Sequence, residues 1–473
     1  MTDVFDPSLP TRTLAPGRAS AAAAAPARLM PPSGGTLLPS DVGIVVVAAL
    51  VLVLGIWVRH GAFTEFAEGW NGSWTALAQL TGLLASLTGL AGLLLVARPR
   101  VLEHRYGLDR LFDWHRVLGG SMAVLVGAHV VTGLLEWRPT AGGWGAAFFD
   151  LTGRESYFAL ATVGAAFVAI VSVSSLRSIR RRLAYETWYF VHLLAYVGLA
   201  VSFGHTIVWG ADFADDRLAR AVWIGLHVVV IVALLGGRWR SLVTAVFRRR
   251  LTLVSRVPLN SDTAALTLTG PALARMSGAA GQFVFVRPMV GRLWWQAHPF
   301  SLSAAPTTAG LQLTVKDRGD ASGAMIRLPI GTKVIVEGPY GATTPESIAG
   351  RRVLFIVGGV GIAPVRALLE RLDRTARPVV LYRAHRAEDL VHFDDIQRLA
   401  TARGGRALAL VGPTAKLAVR DPFAPRHLLA AVPDAASRVA VLCGPERLLS
   451  AARSGLRAAG VDSADIHFER CWW

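Results

Sequence analysis

Four histidines lie inside apolar runs long enough to cross a lipid bilayer, and their spacing is regular. The stretch from Trp114 to Val130 reads W-H-R-V-L-G-G-S-M-A-V-L-V-G-A-H-V and carries His115 and His129, fourteen residues apart. The stretch from Tyr189 to His205 carries His192 and His205, thirteen apart. A helix rises ~1.5 Å per residue, so each pair spans roughly 20 Å, and about four turns return both rings to one face. Two helices so equipped can hold two haems, each between a pair of imidazoles, whose identity as axial ligands acts on the potential. A single histidine in a span can simply hydrogen-bond a neighbouring helix, but polar residues there are costly and usually functional. Four that pair by depth favour haem. His227 has no spaced partner, and His60 and His104 lie at or beyond span ends, where solvated roles are expected.

The elements that must position these rings follow from composition. The 473 residues are 53% hydrophobic and 17% charged, too apolar for an ordinary soluble protein. The apolar residues concentrate in 41–237, in six runs at roughly 42–59, 76–97, 114–135, 157–175, 187–208 and 219–237. Each approaches the ~20 residues that a membrane-crossing helix needs. Arg98, Arg100, Arg105 and Arg110 separate runs two and three. Arg177 and Arg180 to Arg182 separate four and five, and Arg238, Arg240 and Arg248 to Arg250 follow six. The alternate loops carry Glu65, Glu68, Glu136, Asp150, Asp212, Asp215 and Asp216. Basic loops face the cytoplasm, which puts both termini inside a cell membrane crossed six times. On that topology His115 and His192 are the inner pair, and His129 and His205 the outer.

The net charge of +17 is then a matter of topology, and no nucleic-acid partner is expected. Residues 1–40, rich in Ala, Pro, Ser and Gly, are expected to form a disordered cytoplasmic tail, without the pattern of a cleaved signal peptide. The two cysteines, Cys443 and Cys471, offer neither a disulfide framework nor a thiolate metal site. A channel or transporter with a regulatory nucleotide-binding domain would need charges along a path through the spans, and they contain almost none.

After the membrane domain (41–240) the pattern changes. Residues 250–345 contain short alternating stretches such as L-T-L-V-S-R-V, Q-F-V-F-V and L-Q-L-T-V, the mark of an all-β domain. Residues 350–473 alternate strand with helix, which implies a parallel α/β sheet. His298-Pro299-Phe300-Ser301 follows a strand, and Gly338-Pro339-Tyr340-Gly341 closes the β segment. Gly319 to Gly323 open a helix, whose N-terminal N–H groups suit a phosphate. Gly358-Gly359-Val360-Gly361-Ile362-Ala363-Pro364 follows the strand R-V-L-F-I-V, where glycines let backbone approach a pyrophosphate. Cys443-Gly444-Pro445 ends a later strand, at the ligand-bearing edge of such a sheet.

H-P-F-S, G-P-Y-G, G-G-V-G-I-A-P and C-G-P, in that order, resemble the ferredoxin–NADP reductase type of flavoprotein module. Joined to six spans with two histidine pairs, the chain resembles the transmembrane ferric reductase and NADPH oxidase family over roughly residues 42–473. The resemblance implies a six-helix transmembrane bundle, an all-β FAD-binding barrel and an NAD(P)-binding α/β domain. It implies two b-type haems on His115, His129, His192 and His205. It gives His298, Pro299, Phe300 and Ser301 to the flavin, Gly338 and Gly341 to the same site, and Gly319, Asp320 and Ser322 to its pyrophosphate. Gly358, Gly359, Gly361, Ile362, Ala363 and Pro364 would meet the NAD(P) pyrophosphate, and Arg383 and Arg386 the adenosine end. An arginine there can pair with a 2′-phosphate, and can equally be a solvated surface residue. Cys443, Gly444 and Pro445 would lie at the nicotinamide.

Two departures stand out. Relatives end in H-x-E-x-F, whose aromatic covers the flavin, whereas this chain reads His467-Phe468-Glu469-Arg470-Cys471-Trp472-Trp473. Glu469 keeps its place, and Trp472 or Trp473 is expected to take over the stacking. Relatives that make superoxide often carry a further histidine one turn past the outer ligand, where this chain has Gly133. The expected activity is electron transfer from cytoplasmic NADPH or NADH through FAD and two haems to a ferric chelate or oxygen outside. An electron donor to a partner protein or quinone is the alternative.

Overall fold

The structure, a computed structural model, describes residues 39–154, 156–210, 213, 215–276, 278–414, 417, 419 and 421–470. The expected tail lies outside them except for its last two residues, and so do Cys471, Trp472 and Trp473. The chain divides into two units, one of residues 35–102 and 110–240, the other containing 103–109 and 241–473.

Among the described residues, six helices in the first part of the chain are long and apolar enough to cross a membrane. They are α1 (Pro39–Arg59), α2 (Trp70–Val96), α3 (Arg100–Ala141), α4 (Ser156–Ser175), α5 (Tyr185–Trp209) and α6 (Arg217–Leu234). α2 starts six residues earlier than its apolar run, and α3 extends past its run at both ends. Hydropathy marks only what lipid would touch, whereas backbone hydrogen bonding carries a helix on into the polar interface. Gly107 interrupts α3 with φ 75° and ψ 154°, a conformation that glycine adopts without a Cβ penalty. Asp216 caps α6 by accepting the N–H groups of Leu218 and Ala219 at 2.9 and 3.0 Å. Val45, Val117, Val124 and Val232 are all more than 60% exposed, so the outer faces of these helices suit acyl chains rather than water.

Helices α4 and α5 approach through small residues. A Cβ on Gly164 would overlap the Ser202 hydroxyl and lie 2.7 Å from the Gly198 carbonyl oxygen; one on Gly198 would lie 3.1 Å from the Gly164 carbonyl oxygen. Close backbone approach of this kind supplies van der Waals packing where lipid offers no hydrophobic drive. Gly164→Val is therefore expected to push α5 away and displace both of its histidines. Purified variant should retain less than half of the wild-type haem per chain, measured as pyridine haemochrome; full retention would refute this.

The second unit opens with an antiparallel sheet of β1 (Arg250–Pro258), β2 (Thr263–Thr269), β3 (Phe283–Pro288), β4 (His298–Ser301), β5 (Leu311–Lys316) and β6 (Lys333–Tyr340). The order is β4-β3-β6-β1-β2-β5. A bridge between Leu302 and Leu313 joins its two ends, so the sheet curls into a barrel around Leu251, Leu266, Val284, Leu302, Leu313 and Val336. Helix α7 (Asp320–Ile326) follows β5. Then come β7 (Val353–Gly358), α8 (Ile362–Leu369), β8 (Val379–Ala384), α9 (Phe393–Thr401), β9 (Arg406–Val411), α10 (Pro425–Ala431), β10 (Val439–Gly444), α11 (Glu446–Ala458) and β11 (Ile466–Arg470). These strands form a parallel sheet of order β11-β10-β7-β8-β9. Every residue of β7 and β10 is buried, as expected of central parallel strands covered on both faces.

Candidate electron-transfer site

The four membrane histidines pair as their depths require. The rings of His115 and His192 have centres 6.0 Å apart, and so do those of His129 and His205. Two imidazoles bound end-on to one metal at about 2 Å per bond place their ring centres about 6 Å apart. Each ring is also held from behind. His115 Nδ1–H donates to the Gly92 carbonyl at 3.1 Å, His129 Nδ1–H to Ala78 at 2.8 Å and His205 Nδ1–H to Ser202 at 2.6 Å. A carbonyl only accepts, so Nδ1 carries the proton and Nε2 keeps its lone pair for a metal. His192 Nδ1 lies 3.5 Å from the Ser175 hydroxyl, which in turn accepts from the Trp188 indole at 3.2 Å. Trp188 also stacks on His192 with ring centres 5.0 Å apart.

The helix surface beside the rings is open at two points. One turn past each ligand of α3 stands a glycine, Gly119 after His115 and Gly133 after His129, and a Cβ on either would meet nothing within 4 Å. Gly82 serves otherwise: a Cβ there would press to 3.0 Å on the His129 ring. The donor set and the space both fit bis-imidazole haem. Outside the pairs, His227 Nδ1–H donates to the Trp223 carbonyl at 2.9 Å and its ring packs against Phe203, a structural role. His60, expected in a solvated role, is largely buried instead. Its Nδ1 faces the Ile56 carbonyl at 2.8 Å and its Nε2 lies 3.5 Å from Asp216, because the cap of α6 draws it in.

In the barrel, β3 lies between β4 and β6 and brings H-P-F-S and G-P-Y-G together. Pro299 pairs with Phe285, Phe300 with Val284 and Ser301 with Phe283, while Phe283 also pairs with Tyr340. Phe283, Phe285 and Tyr340 form an aromatic cluster with ring centres 5.7 to 6.0 Å apart. Gln282 ties the closing turn down: its amide donates to the Gly341 carbonyl at 3.0 Å and its oxygen accepts from Ala279 N–H at 2.8 Å. The expected phosphate turn exists as Gly319 and α7. Ser322 braces it by accepting from Arg318 N–H at 2.7 Å, and Gly319 has φ 143°. Asp320 opens the helix.

In the parallel sheet the two nucleotide motifs meet backbone to backbone. A Cβ on Gly361 would lie 2.5 Å from the Cys443 carbonyl oxygen and 2.9 Å from Gly444 N. A Cβ on Gly358 would lie 3.2 Å from Pro445. Gly359, Ile362, Ala363 and Pro364 complete this turn at the start of α8, and Ile362 and Ala363 are buried. Cys443 is fully buried, and Glu469 pairs in register with it on β11. Burial raises the Glu469 carboxyl well above the ordinary carboxylate range. Asp109 and Glu103 add to the rise, and a Thr343 hydrogen bond opposes it. The rise favours the neutral form of Glu469, which can donate a hydrogen bond.

Sequence reasoning missed the residues that fasten the barrel to the parallel sheet. Arg366 on α8 donates to the Ser303 carbonyl at 2.6 Å, to the Gln312 side chain at 3.2 Å and to Asp395 at 3.0 Å. Glu370 accepts Ala305 N–H at 2.7 Å. The His392 ring lies 2.9 Å from the Thr314 hydroxyl, with the backbone of His392 at φ 62°. Each is a long-range contact with no local pattern to announce it. Burial and the Arg366 guanidinium push the His392 imidazole down to about 4, although Asp395 opposes them. Between pH 6.5 and 4 the unfolded chain takes up a proton that the folded one refuses, so stability falls as pH drops through that window. The loss reaches about 3 kcal/mol at its lower end. His392→Asn keeps a side chain that tolerates the left-handed backbone and removes the titration. The variant should lose less melting temperature than wild type between pH 7 and pH 4.5; an equal loss would refute the assignment.

Comparison with known proteins agrees with this layout. Residues 81–203 match the family described as ferric reductase like transmembrane component, and residues 248–344 match an FAD-binding domain. The ferredoxin reductase component of 3-ketosteroid-9-alpha-monooxygenase from Mycolicibacterium smegmatis is 31% identical over 46% of this chain and 64% of that protein. Ferredoxin–NADP reductase B from Sorangium cellulosum is 29% identical over 40% of this chain and 84% of that protein. Respiratory burst oxidase homolog protein E from Arabidopsis thaliana is 24% identical over 40% of this chain and 22% of that protein. The chain thus spans less than two thirds of the length of two of these three. A multi-pass membrane component joined to a flavoprotein module with a nucleotide-binding sheet defines an electron-transfer oxidoreductase. Within that class, the matched parts of the chain are similar to proteins of the ferric reductase and NADPH oxidase type.

Proposed function

We propose that this protein takes electrons from cytoplasmic NADH or NADPH and, by way of FAD and two b-type haems, delivers them across the cell membrane to a ferric chelate or to oxygen. The observation that carries the reading is the double histidine pair: ring centres 6.0 Å apart at two levels, with Nδ1 engaged and Nε2 free to ligate. Bound FAD converts the two electrons of a hydride into single-electron steps, and bound haem carries single electrons. His115 and His192 would hold the inner haem, His129 and His205 the outer. The barrel residues His298 to Ser301 and Gly338 to Gly341 would seat the flavin, with Gly319 and Ser322 at its phosphates. The turn from Gly358 to Pro364 would take the dinucleotide pyrophosphate, and Cys443 to Pro445 the nicotinamide. Glu469, held neutral, would offer a proton donor beside that edge and spare the hydride path an added negative charge. The positive-inside rule, applied to the basic loops, supports a cytoplasmic position for this module.

The test is a spectrum and a titration. Purified protein supplied with FAD and haem should show b-type bands in its reduced-minus-oxidised difference spectrum, and anaerobic NADH or NADPH should produce them. Protein that binds flavin but no haem would sink the reading. Reduction of a soluble ferric chelate or oxygen without any partner would separate it from a donor that serves a protein or quinone.

A further inference from the structure

We propose that the charged cluster of Arg386, Glu388 and Asp389 makes the nucleotide site selective for NADH over NADPH, with Glu388 facing the 2′ position of the adenosine ribose. This rests on the reading of the parallel sheet as the NAD(P)H site. In open α/β sheets a dinucleotide lies across the carboxyl ends of the strands, and an acidic residue beyond the glycine turn reads the ribose; Glu388 follows Gly361 by 27 residues. β8 is the parallel neighbour of β7, and Arg383 at its end pairs in register with Gly358, where the glycine turn begins. The residues just after β8 therefore stand beside that turn, at the place where a 2′-hydroxyl or a 2′-phosphate would be met.

Two arginines there suggest a phosphate, but neither offers an unspent charge. The Arg383 guanidinium is folded back onto backbone: it donates to the carbonyls of Ala384, Leu410 and Gly412 and to the Thr414 hydroxyl. It serves the exit of β9. Arg386 lies between two carboxylates, at 2.5 Å from Glu388 and 3.1 Å from Asp389. Asp389 is 8% exposed and also pairs with Lys316 at 2.8 Å, and Lys316 reaches Asp262 at 3.2 Å. Two cations thus face three carboxylates. The cluster fastens the end of the barrel strand β5 to the loop after β8, so Arg386 and Lys316 cannot turn to a new anion without releasing Asp389.

The balance decides the preference. A 2′-phosphate would bring a double negative charge to a cluster that already carries an excess of carboxylate, and like charges at a few ångströms repel. A 2′-hydroxyl meets no such cost and finds an acceptor in Glu388, whose side chain is 53% exposed and pointed away from the core. Exposed pairs are screened by salt, so the preference should shrink as ionic strength rises.

The experiment uses the purified full-length protein loaded with FAD and haem. Anaerobic flavin bleaching by NADH and by NADPH gives the ratio of second-order rates. Titration calorimetry with adenosine 5′-monophosphate and its 2′-phosphorylated form gives the affinity ratio without any redox step. Both ratios should favour the nucleotide without the 2′-phosphate by about tenfold or more at low salt. Glu388→Gln should reduce each ratio at least fivefold, and Arg386→Gln, which uncovers the carboxylates, should raise each. A wild-type preference for NADPH, or ratios that Glu388→Gln leaves unmoved, would overturn the selectivity while leaving the oxidoreductase intact. Failure of both dinucleotides to reduce the flavin would overturn the nucleotide reading and the selectivity with it.

Discussion

His205→Ala is expected to cut the haem content of the purified protein from two per chain to one. The ring is positioned by the Ser202 carbonyl behind it and faces His129 across the space for a metal. Without it an outer haem would keep a single protein ligand and, having no covalent link to the protein, would be lost. The inner pair lies ~20 Å away along the same helices and is braced by its own contacts, Gly92 behind His115 and Trp188 on His192. It should keep its haem and still be reduced by the dinucleotide. Delivery to an external ferric chelate should fall at least 100-fold, because a ~20 Å gap then replaces the outer carrier. The check is the pyridine haemochrome content together with chelate reduction. A variant that retains two haems would show that the pairing by depth is wrong.

Gly361→Ala should act at the other end of the electron path and with comparable force. Its added methyl would lie 2.5 Å from the Cys443 carbonyl oxygen, closer than real carbon atoms approach, and both partners belong to backbone. No side-chain rotation relieves such a contact. Either the turn after β7 lifts or the end of β10 drops, and the surface that receives the dinucleotide opens. Flavin reduction by NADH or NADPH should fall 100-fold or more, while FAD content and haem spectra after chemical reduction remain those of wild type. Gly359→Ala is the contrast. Its Cβ would meet nothing within 4 Å, but its φ of 53° strains any other residue, so it should cost less. If Gly361→Ala reduced its flavin at the wild-type rate, the meeting of the two motifs would not matter to catalysis.

Much of this architecture was legible because membrane and sheet impose strong periodicities. A span needs a run of apolar residues whatever else it does, so six runs gave six helices, and the histidine intervals within two of them gave the pairs. The barrel strands announced themselves by alternation, as in Leu251 to Val257 and Phe283 to Val286. β9 carries no such mark: R-A-L-A-L-V is short, rich in alanine, and equally compatible with a helix. The supports behind the ligands were invisible for a different reason. Gly92, Ala78 and Ser202 act through backbone carbonyls, and a carbonyl has no residue signature. The ion pairs of Arg386 could not be read from the sequence although the pattern was in plain view. Glu388 and Asp389 stand two and three residues on, yet only the folded loop shows that they consume its charge.

The helix α2 bears no haem ligand, yet it holds one ring of each pair. It accepts from His129 at Ala78 and from His115 at Gly92. Those two carbonyls are fourteen residues apart, the same interval as the two histidines that reach them, on a helix that runs the opposite way. α2 is thus a ruler laid against α3. One residue added or removed between Ala78 and Gly92 would turn one carbonyl by ~100° and shift it ~1.5 Å, leaving one ring braced and the other loose. The spacing of these two rings along α3 is thus matched by peptide geometry on α2 rather than by a side chain that could be exchanged. The separation between the two pairs can change only by matched insertions in α2, α3 and α5 at once, since each of the three helices contributes to both levels.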